Sequence, residues 1–485
     1  MTMRTSSSSA VRRAAGLAAV VAAASAAALA APPQPRRASL VVTGGTVITM
    51  DAERRILSPG AVAICGDSIA AVDTPAAIAR RFVAADIVRA DGAVVLPGLV
   101  NTHGHAPMVM YRGLADDLAL MDWLQKYIFP AESKTVTPEL VRVGTRLAAL
   151  EMIQSGTTLH TDMYYFEEEV ARATKAAGMR GVLAQTVIGF PAPDAKTPAD
   201  GLARAKRFME EFRGDPLIVA TVAPHSMYTV DAESLKASRD LARTFGVPLV
   251  THLAETDDEV RRSLEAHRLT PAAYLDSLGF WDTPALAAHG VHLTDDDIAL
   301  LRRRGVALSH NPESNMKLAS GAAPIVKCLR AGLAVGLGTD GAASNNDLDM
   351  FEAMRQAAFL HKLTDKDPTA ASARTVLEMA TIGGAAALGL ADRIGSLEQG
   401  KRADLIVVSM RAPRQTPMYN PVSHLVYVTR GDDVRTTVVN GRILMRDRRM
   451  LTLNAPSVLA DARRLAARVR EAVEAAKPPQ SSTAK

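Results

Sequence analysis

Eight short apolar runs, separated by amphipathic stretches, restrict the fold of this chain more than any other feature. The runs fall at 93–101, 156–163, 180–188, 216–223, 247–253, 285–291, 305–309 and 333–338. Helical patterns such as 138–154, 198–212, 232–245 and 295–304 lie between them. Strands buried on both faces read as near-continuous apolar runs, and parallel neighbours need a crossover between them. Eight strand–helix units predict an α/β fold, a TIM (β/α)8 barrel over residues 98–390. A doubly wound open sheet is the alternative. No Gly-rich phosphate loop follows the first strand, which counts against a nucleotide-binding version of it.

The flanks have another texture. Residues 39–97 hold short β patterns and turns, such as Leu40-Val41-Val42 before Thr43-Gly44-Gly45. The same texture returns over 391–455, where Thr436-Thr437-Val438-Val439 runs into the hairpin signal Asn440-Gly441. A small composite β-sandwich built from both segments is expected. An Ala/Arg/Glu-rich helix follows at 456–476, and Lys477-Pro478-Pro479 opens a tail, 477–485, expected to be disordered.

Residues 1–31 read as an export signal peptide. An Arg-bearing start leads into the small apolar run Ala14 to Ala31, and Ala28-Leu29-Ala30 offers a cleavage site. The Arg12-Arg13 pair resembles that of a twin-arginine signal, although Ala-Ala-Gly follows it in place of a bulky apolar residue. An uncleaved membrane anchor is the competing reading, but the run is weakly apolar and short for a span. A periplasmic or secreted protein is expected, with no membrane contact after cleavage. Only Cys65 and Cys328 are present, so one disulfide at most is available. Arg4, Arg12, Arg13, Arg36 and Arg37 precede residue 40, where no acid stands, and they equal the whole net charge of +5. The body is close to neutral, and no nucleic-acid partner is expected.

Chemistry gathers at the strand ends. The first run closes on His103-Gly104-His105, whose two imidazoles project from one strand face and suit a transition metal. Alone, such a pair could equally be satisfied by hydrogen bonds. The later strands end in Pro224-His225, His252-Leu253-Ala254-Glu255, His289-Gly290, His310-Asn311 and Asp340-Gly341. Six of the 11 histidines fall at such ends, where a barrel collects its catalytic groups, so a metal site is expected.

With these stretches in hand, the chain resembles the amidohydrolase superfamily over about residues 39–455. It is most similar to the 5-methylthioadenosine/S-adenosylhomocysteine deaminases and their triazine-hydrolase relatives. Leu120-Met121-Asp122-Trp123-Leu124, Pro130-Ala131-Glu132, His252 to Thr256, Ser309 to Leu318 and Gly338 to Asn346 carry the resemblance. It implies that His103, His105, His252 and Asp340 bind one divalent ion. Zinc suits that donor set, and iron or manganese is compatible with it. Two-metal members of the superfamily use a bridging lysine at the end of strand three or four. Here none stands between Lys175 and Lys196, and strand four ends in His225, so a single ion is expected. A metal ion lowers the pKa of its bound water to about 7. The resemblance further implies that Glu255 protonates a ring nitrogen of the substrate, Asp340 takes the proton of the attacking water, and His289 holds that water. His225 and Glu132 would contact the substrate, Glu132 through a ribose diol. The expected reaction is hydrolytic deamination of an adenine nucleoside or thio-nucleoside. A heterocycle amino- or chlorohydrolase acting on s-triazines is the alternative, and a non-catalytic binding protein is a more distant one. Trp123 and Met108 lie in the loop after the first strand, where they could cover the site. His160 is expected in the core, and the role of His310 is open. Relatives commonly form homo-oligomers, so one is expected here.

Overall fold

The computed structural model describes residues 34–474. The expected signal peptide and the tail at 477–485 lie outside them. Among the described residues no helix is long and apolar enough to cross a membrane.

Eight parallel strands form the central sheet. They are β1 (Leu99–Asn101), β2 (Thr157–Tyr164), β3 (Arg180–Val187), β4 (Ile218–Pro224), β5 (Leu249–Leu253), β6 (Ala285–His289), β7 (Ala307–His310) and β8 (Val335–Leu337). Their order is β4-β3-β2-β1-β8-β7-β6-β5, each paired in parallel with its neighbour. Nearly every strand residue is buried, as the continuous apolar runs require. Between β4 and β5 the barrel closes without a regular ladder. There the His225 carbonyl accepts the backbone N–H of His252 at 3.1 Å.

The apolar run at 93–101 is divided between two sheets. Ala93–Pro97 pairs antiparallel with Leu405–Ser409 in a flanking sheet, and the chain enters β1 after Gly98. A Cβ at Gly98 would lie 2.2 Å from the Thr158 side chain, so only glycine lets the strand pass that close to β2. The flanking sheet has seven strands, in the order Arg449–Met450, Arg442–Arg446, Val434–Val439, Leu405–Ser409, Ala93–Pro97, Thr46–Ile48, Ile56–Leu57. A four-stranded sheet faces it, made of Ser68–Asp73, Ala61–Cys65, Leu40–Thr43 and Ile87–Arg89. The strands of the C-terminal segment all lie in the seven-stranded sheet, and 391–404 adds no strand but meets Ser68–Asp73 of the other sheet through an isolated bridge, Ser68 to Arg402. The sheets still share one core, in which Val42, Val62 and Ile64 meet Val95, Val407 and Val438. Arg180 fastens this unit to the barrel through a buried ion pair with Asp404 at 2.5 Å and a bond to Asn440 Oδ1 at 2.7 Å. Cys65 and Cys328 are unbridged.

Two helical features shape the site. A helical segment after β1 runs from Leu120 to Thr135, with one π-helical turn at Leu124–Ile128 and a last stretch, α1 (Phe129–Thr135). π turns recur at functional sites because they re-aim side chains. Next comes α2 (Pro138–Gln154), capped by Thr137. A helix from the C-terminal segment, α3 (Ala455–Glu474), packs on both α1 and α2 and buries Val458, Leu465 and Val469.

Candidate active site

The C-terminal ends of the barrel strands bring five side chains together, four buried and one, His105, half-buried. His103, His105 and Asp340 present ligand atoms within 4.8 Å of one another, and so do His103, His252 and His289. Asp340 Oδ1 lies 3.3 Å from His103 Nε2 and 3.2 Å from His105 Nε2. Three of the rings are held from behind. Nδ1 of His105 meets the Met163 carbonyl at 2.7 Å, that of His252 the His225 carbonyl at 2.8 Å, and that of His289 Asn315 Oδ1 at 2.8 Å. A carbonyl accepts from Nδ1–H, which leaves Nε2 as a free lone pair, the arrangement usual around metal-bound imidazoles. The irregular closure between β4 and β5 is therefore what orients His252.

His103 makes the case for an ion. It is fully buried, yet neither ring nitrogen has a hydrogen-bond partner. Leaving a buried polar group unpaired costs about 1–3 kcal/mol, and a metal ligand removes that cost. Burial pulls the imidazole down to about 4, against the pull of Asp340, so the ring is neutral and free to ligate. Burial likewise holds His252 well below the usual range, with the neighbouring imidazoles adding to it. On His105 burial also opposes charge, but the contact with Asp340 outweighs it and raises that ring to about 9, so without a cation Nε2 holds a proton facing Asp340, in the place an ion would take. The donor set of three imidazoles and a carboxylate fits a divalent ion with N/O preference.

The backbone is strained where these groups stand. His289 (φ 75°), Asp340 (φ 62°) and Ala254 (φ 49°) all adopt left-handed conformations without being glycine. Such residues cost on the order of 1 kcal/mol each and persist only when their surroundings hold them. Glu259 supplies the hold for the turn carrying Glu255, accepting the N–H groups of Ala254 at 3.0 Å and Glu255 at 2.9 Å. For Asp340 it is Gly341 N–H at 2.8 Å and Ser344 Oγ–H at 3.0 Å.

A cavity of about 600 Å³, counted to its open mouth, reaches this cluster. Glu132, His225 and Glu255 line it together with His105, His252, His289 and Asp340. Glu255 Oε2 lies 3.9 Å from His289 Nε2, and burial raises its carboxyl above the usual range, with His289 opposing. Glu132 is also buried. It accepts the Tyr164 hydroxyl at 2.6 Å, and burial lifts its carboxyl to about 7 although that bond and His105 pull it down. His225 sits with its ring centroid 4.7 Å from that of His252. Met108 and Trp123 also line the cavity.

Other histidines stand apart from it. His160 is buried and bonds Thr174 Oγ1 at 3.0 Å on the helix side of β2. His310 meets His361 Nε2 to Nε2 at 3.0 Å, both buried behind the strand end. Three contributors have no clear signature in the sequence. Tyr164 holds Glu132, and an aromatic at a strand end reads as core. Asn315 and Ser344 hold His289 and Asp340 from within motif stretches where either could be a plain loop residue.

A barrel with a histidine-and-aspartate cluster at the strand ends, open to a deep cavity, defines the class of metal-dependent barrel hydrolases. Residues 94–444 match the amidohydrolase family, and the chain belongs to it. It is 47% identical over 434 residues to a 5-methylthioadenosine/S-adenosylhomocysteine deaminase of Syntrophus aciditrophicus, an alignment spanning 90% of this chain and 98% of the relative. A crystal structure of an adenosine deaminase from Xanthomonas campestris, with bound zinc, superposes with a TM-score of 0.88 at 39% identity, covering 90% of this chain and 100% of the other. A triazine hydrolase from Arthrobacter aurescens shares the fold at a TM-score of 0.82 and 24% identity, over 88% and 99% of the two chains.

Proposed function

We propose that the protein is a metal-dependent aminohydrolase that deaminates an adenine nucleoside or thio-nucleoside. One observation carries this reading: Glu132 and Glu255 line the same cavity as the histidine-and-aspartate cluster, so a diol acceptor and a proton donor serve one reaction centre. The names of the relatives agree with it. His103, His105, His252 and Asp340 would hold one divalent ion, zinc by donor type. When bound, that ion supplies Lewis acidity and a water acidified to near neutrality.

The residues do the rest. Glu255, biased by burial towards its protonated form, delivers a proton to a ring nitrogen next to the amino-bearing carbon. His289, fixed through Nδ1 by Asn315, directs its Nε2 lone pair at the attacking water, accepts a hydrogen bond from it and so orients it. Asp340 accepts a proton from that water. As the C–O bond forms and the C–N bond breaks, the amino group takes up this proton and leaves as ammonia, and the remaining hydroxyl proton returns to Glu255 as the carbonyl forms. His225 contacts the heterocycle, and Glu132 accepts hydrogen bonds from the ribose hydroxyls. Export by the N-terminal segment and assembly into a homo-oligomer belong to the same proposal, on the Arg-bearing Ala-rich start and the habit of relatives respectively.

The test is metal analysis followed by an ammonia-release screen over adenosine, 5′-methylthioadenosine, S-adenosylhomocysteine, guanine, cytosine and melamine. Bound zinc near one per chain and release from adenine nucleosides alone is expected. Release from melamine alone, or a metal-loaded protein that turns over none of them, refutes the reading.

A further inference from the structure

The cavity has a second wall that the reaction above does not use. Leu120, Trp123, Leu124, Ile128 and Phe129 line it, all from the helical segment that carries Glu132. Positions 120, 124, 128 and 132 recur every four residues and form one stripe, with the carboxylate at its end. The wall is buried except for half-buried Phe129. Trp123, beside the stripe, has its indole N–H buried with no partner among the described residues.

Charge is distributed unevenly around this wall. Among the described residues, no lysine or arginine lines the cavity. Lys317, next to lining residue Leu318, is engaged by Asp116 and Asn346. Beyond the histidine-and-aspartate cluster, the charged groups that the cavity offers are Glu132 and Glu255, and both are acids. The two compounds in the name of the Syntrophus relative differ only in the 5′ substituent. One carries a methylthio group. The other carries a homocysteine chain that ends in an ammonium and a carboxylate.

Resting on the reading that Glu132 holds the ribose, we infer that the apolar stripe receives the 5′ substituent and selects small uncharged groups over a zwitterionic one. A thioether or hydroxyl laid along this wall leaves no charge unpaired. A carboxylate laid along the same wall loses water, finds no cation and faces two acids. Removing a charged partner from a buried site changes specificity by tenfold or more.

The experiment compares kcat/KM for 5′-methylthioadenosine and S-adenosylhomocysteine on the metal-loaded, full-length protein. At least about a tenfold preference for 5′-methylthioadenosine is expected. Leu124→Arg, which places a cation on the stripe, should narrow or invert that preference, mainly through KM. A wild-type ratio near one, with both compounds deaminated, overturns the inference and leaves the deaminase reading standing. A folded Leu124→Arg protein with an unaltered ratio overturns the placement of the substituent. Absence of ammonia from both compounds overturns this inference, and only if adenosine also releases none does the deaminase reading fall with it.

Discussion

Tyr164→Phe tests how the diol acceptor is kept charged. The substitution removes one hydroxyl, the donor that sits 2.6 Å from Glu132 Oε1, and keeps the buried ring. Burial already lifts Glu132 to about 7 with that bond in place. A hydrogen bond to a charged group is worth about 1.5–3 kcal/mol, so losing it moves the carboxyl's midpoint up by about one to two pH units. A carboxyl is ionised above its midpoint. At pH 7 the ionised fraction should therefore drop from about one half to between about one in ten and one in a hundred. kcat/KM for adenosine should fall about 5–50-fold at pH 7 and recover most of that by pH 9. The assay is ammonia release across pH 6–9 with adenosine and with 2′,3′-dideoxyadenosine, which lacks the diol. Parallel pH profiles for the two proteins, or an equal loss on the dideoxy compound, would refute the reasoning.

Other tests address the remaining parts. Glu255→Gln should lower kcat by about 10²–10⁴ with little change in KM, as loss of a proton donor does; a drop below tenfold in ammonia release would exclude that role. Chelation should abolish activity and lower Tm by several degrees, since His103 is then left with two buried unpaired nitrogens, and zinc should restore both. An unchanged Tm in calorimetry argues against an ion there. Burial holds His160 near 4 in the folded chain against 6.5 when unfolded, so the fold favours its neutral ring. That contribution is complete above 6.5 and is lost as pH falls towards 4, at a cost of about 3 kcal/mol. Urea unfolding of His160→Gln should lose less stability between pH 7 and pH 4.5 than the parent; equal losses would place the acid sensitivity elsewhere.

Most of the barrel is legible in the sequence because its strands are buried on both faces and therefore read as unbroken apolar runs. The cluster is legible for a related reason: His103, His105, His252, His289 and Asp340 all stand where such a run stops. Other features leave no such trace. The division of 93–101 between two sheets turns on a close approach between Gly98 and Thr158, residues far apart in sequence. The irregular join of β4 to β5 depends on one carbonyl, that of His225, serving both the backbone and the ring of His252. Tyr164 alternates with core residues along β2 and differs from them only in what its hydroxyl reaches. The π turn at Leu124–Ile128 follows no residue pattern, and it sets which side chains form the cavity wall.

The packing of α3 against α1 has a consequence for biosynthesis. Glu132 lies on a short helix, and short helices owe their stability to what they pack on. Here the brace includes a helix encoded far downstream, beyond every barrel strand. On the ribosome, the cluster's last member, Asp340, emerges well before Val458, Leu465 and Val469. A nascent chain can thus assemble its histidines and aspartate while the ribose side of the cavity still lacks its brace. Substrate recognition, unlike the reaction centre, is completed only when translation has passed the brace.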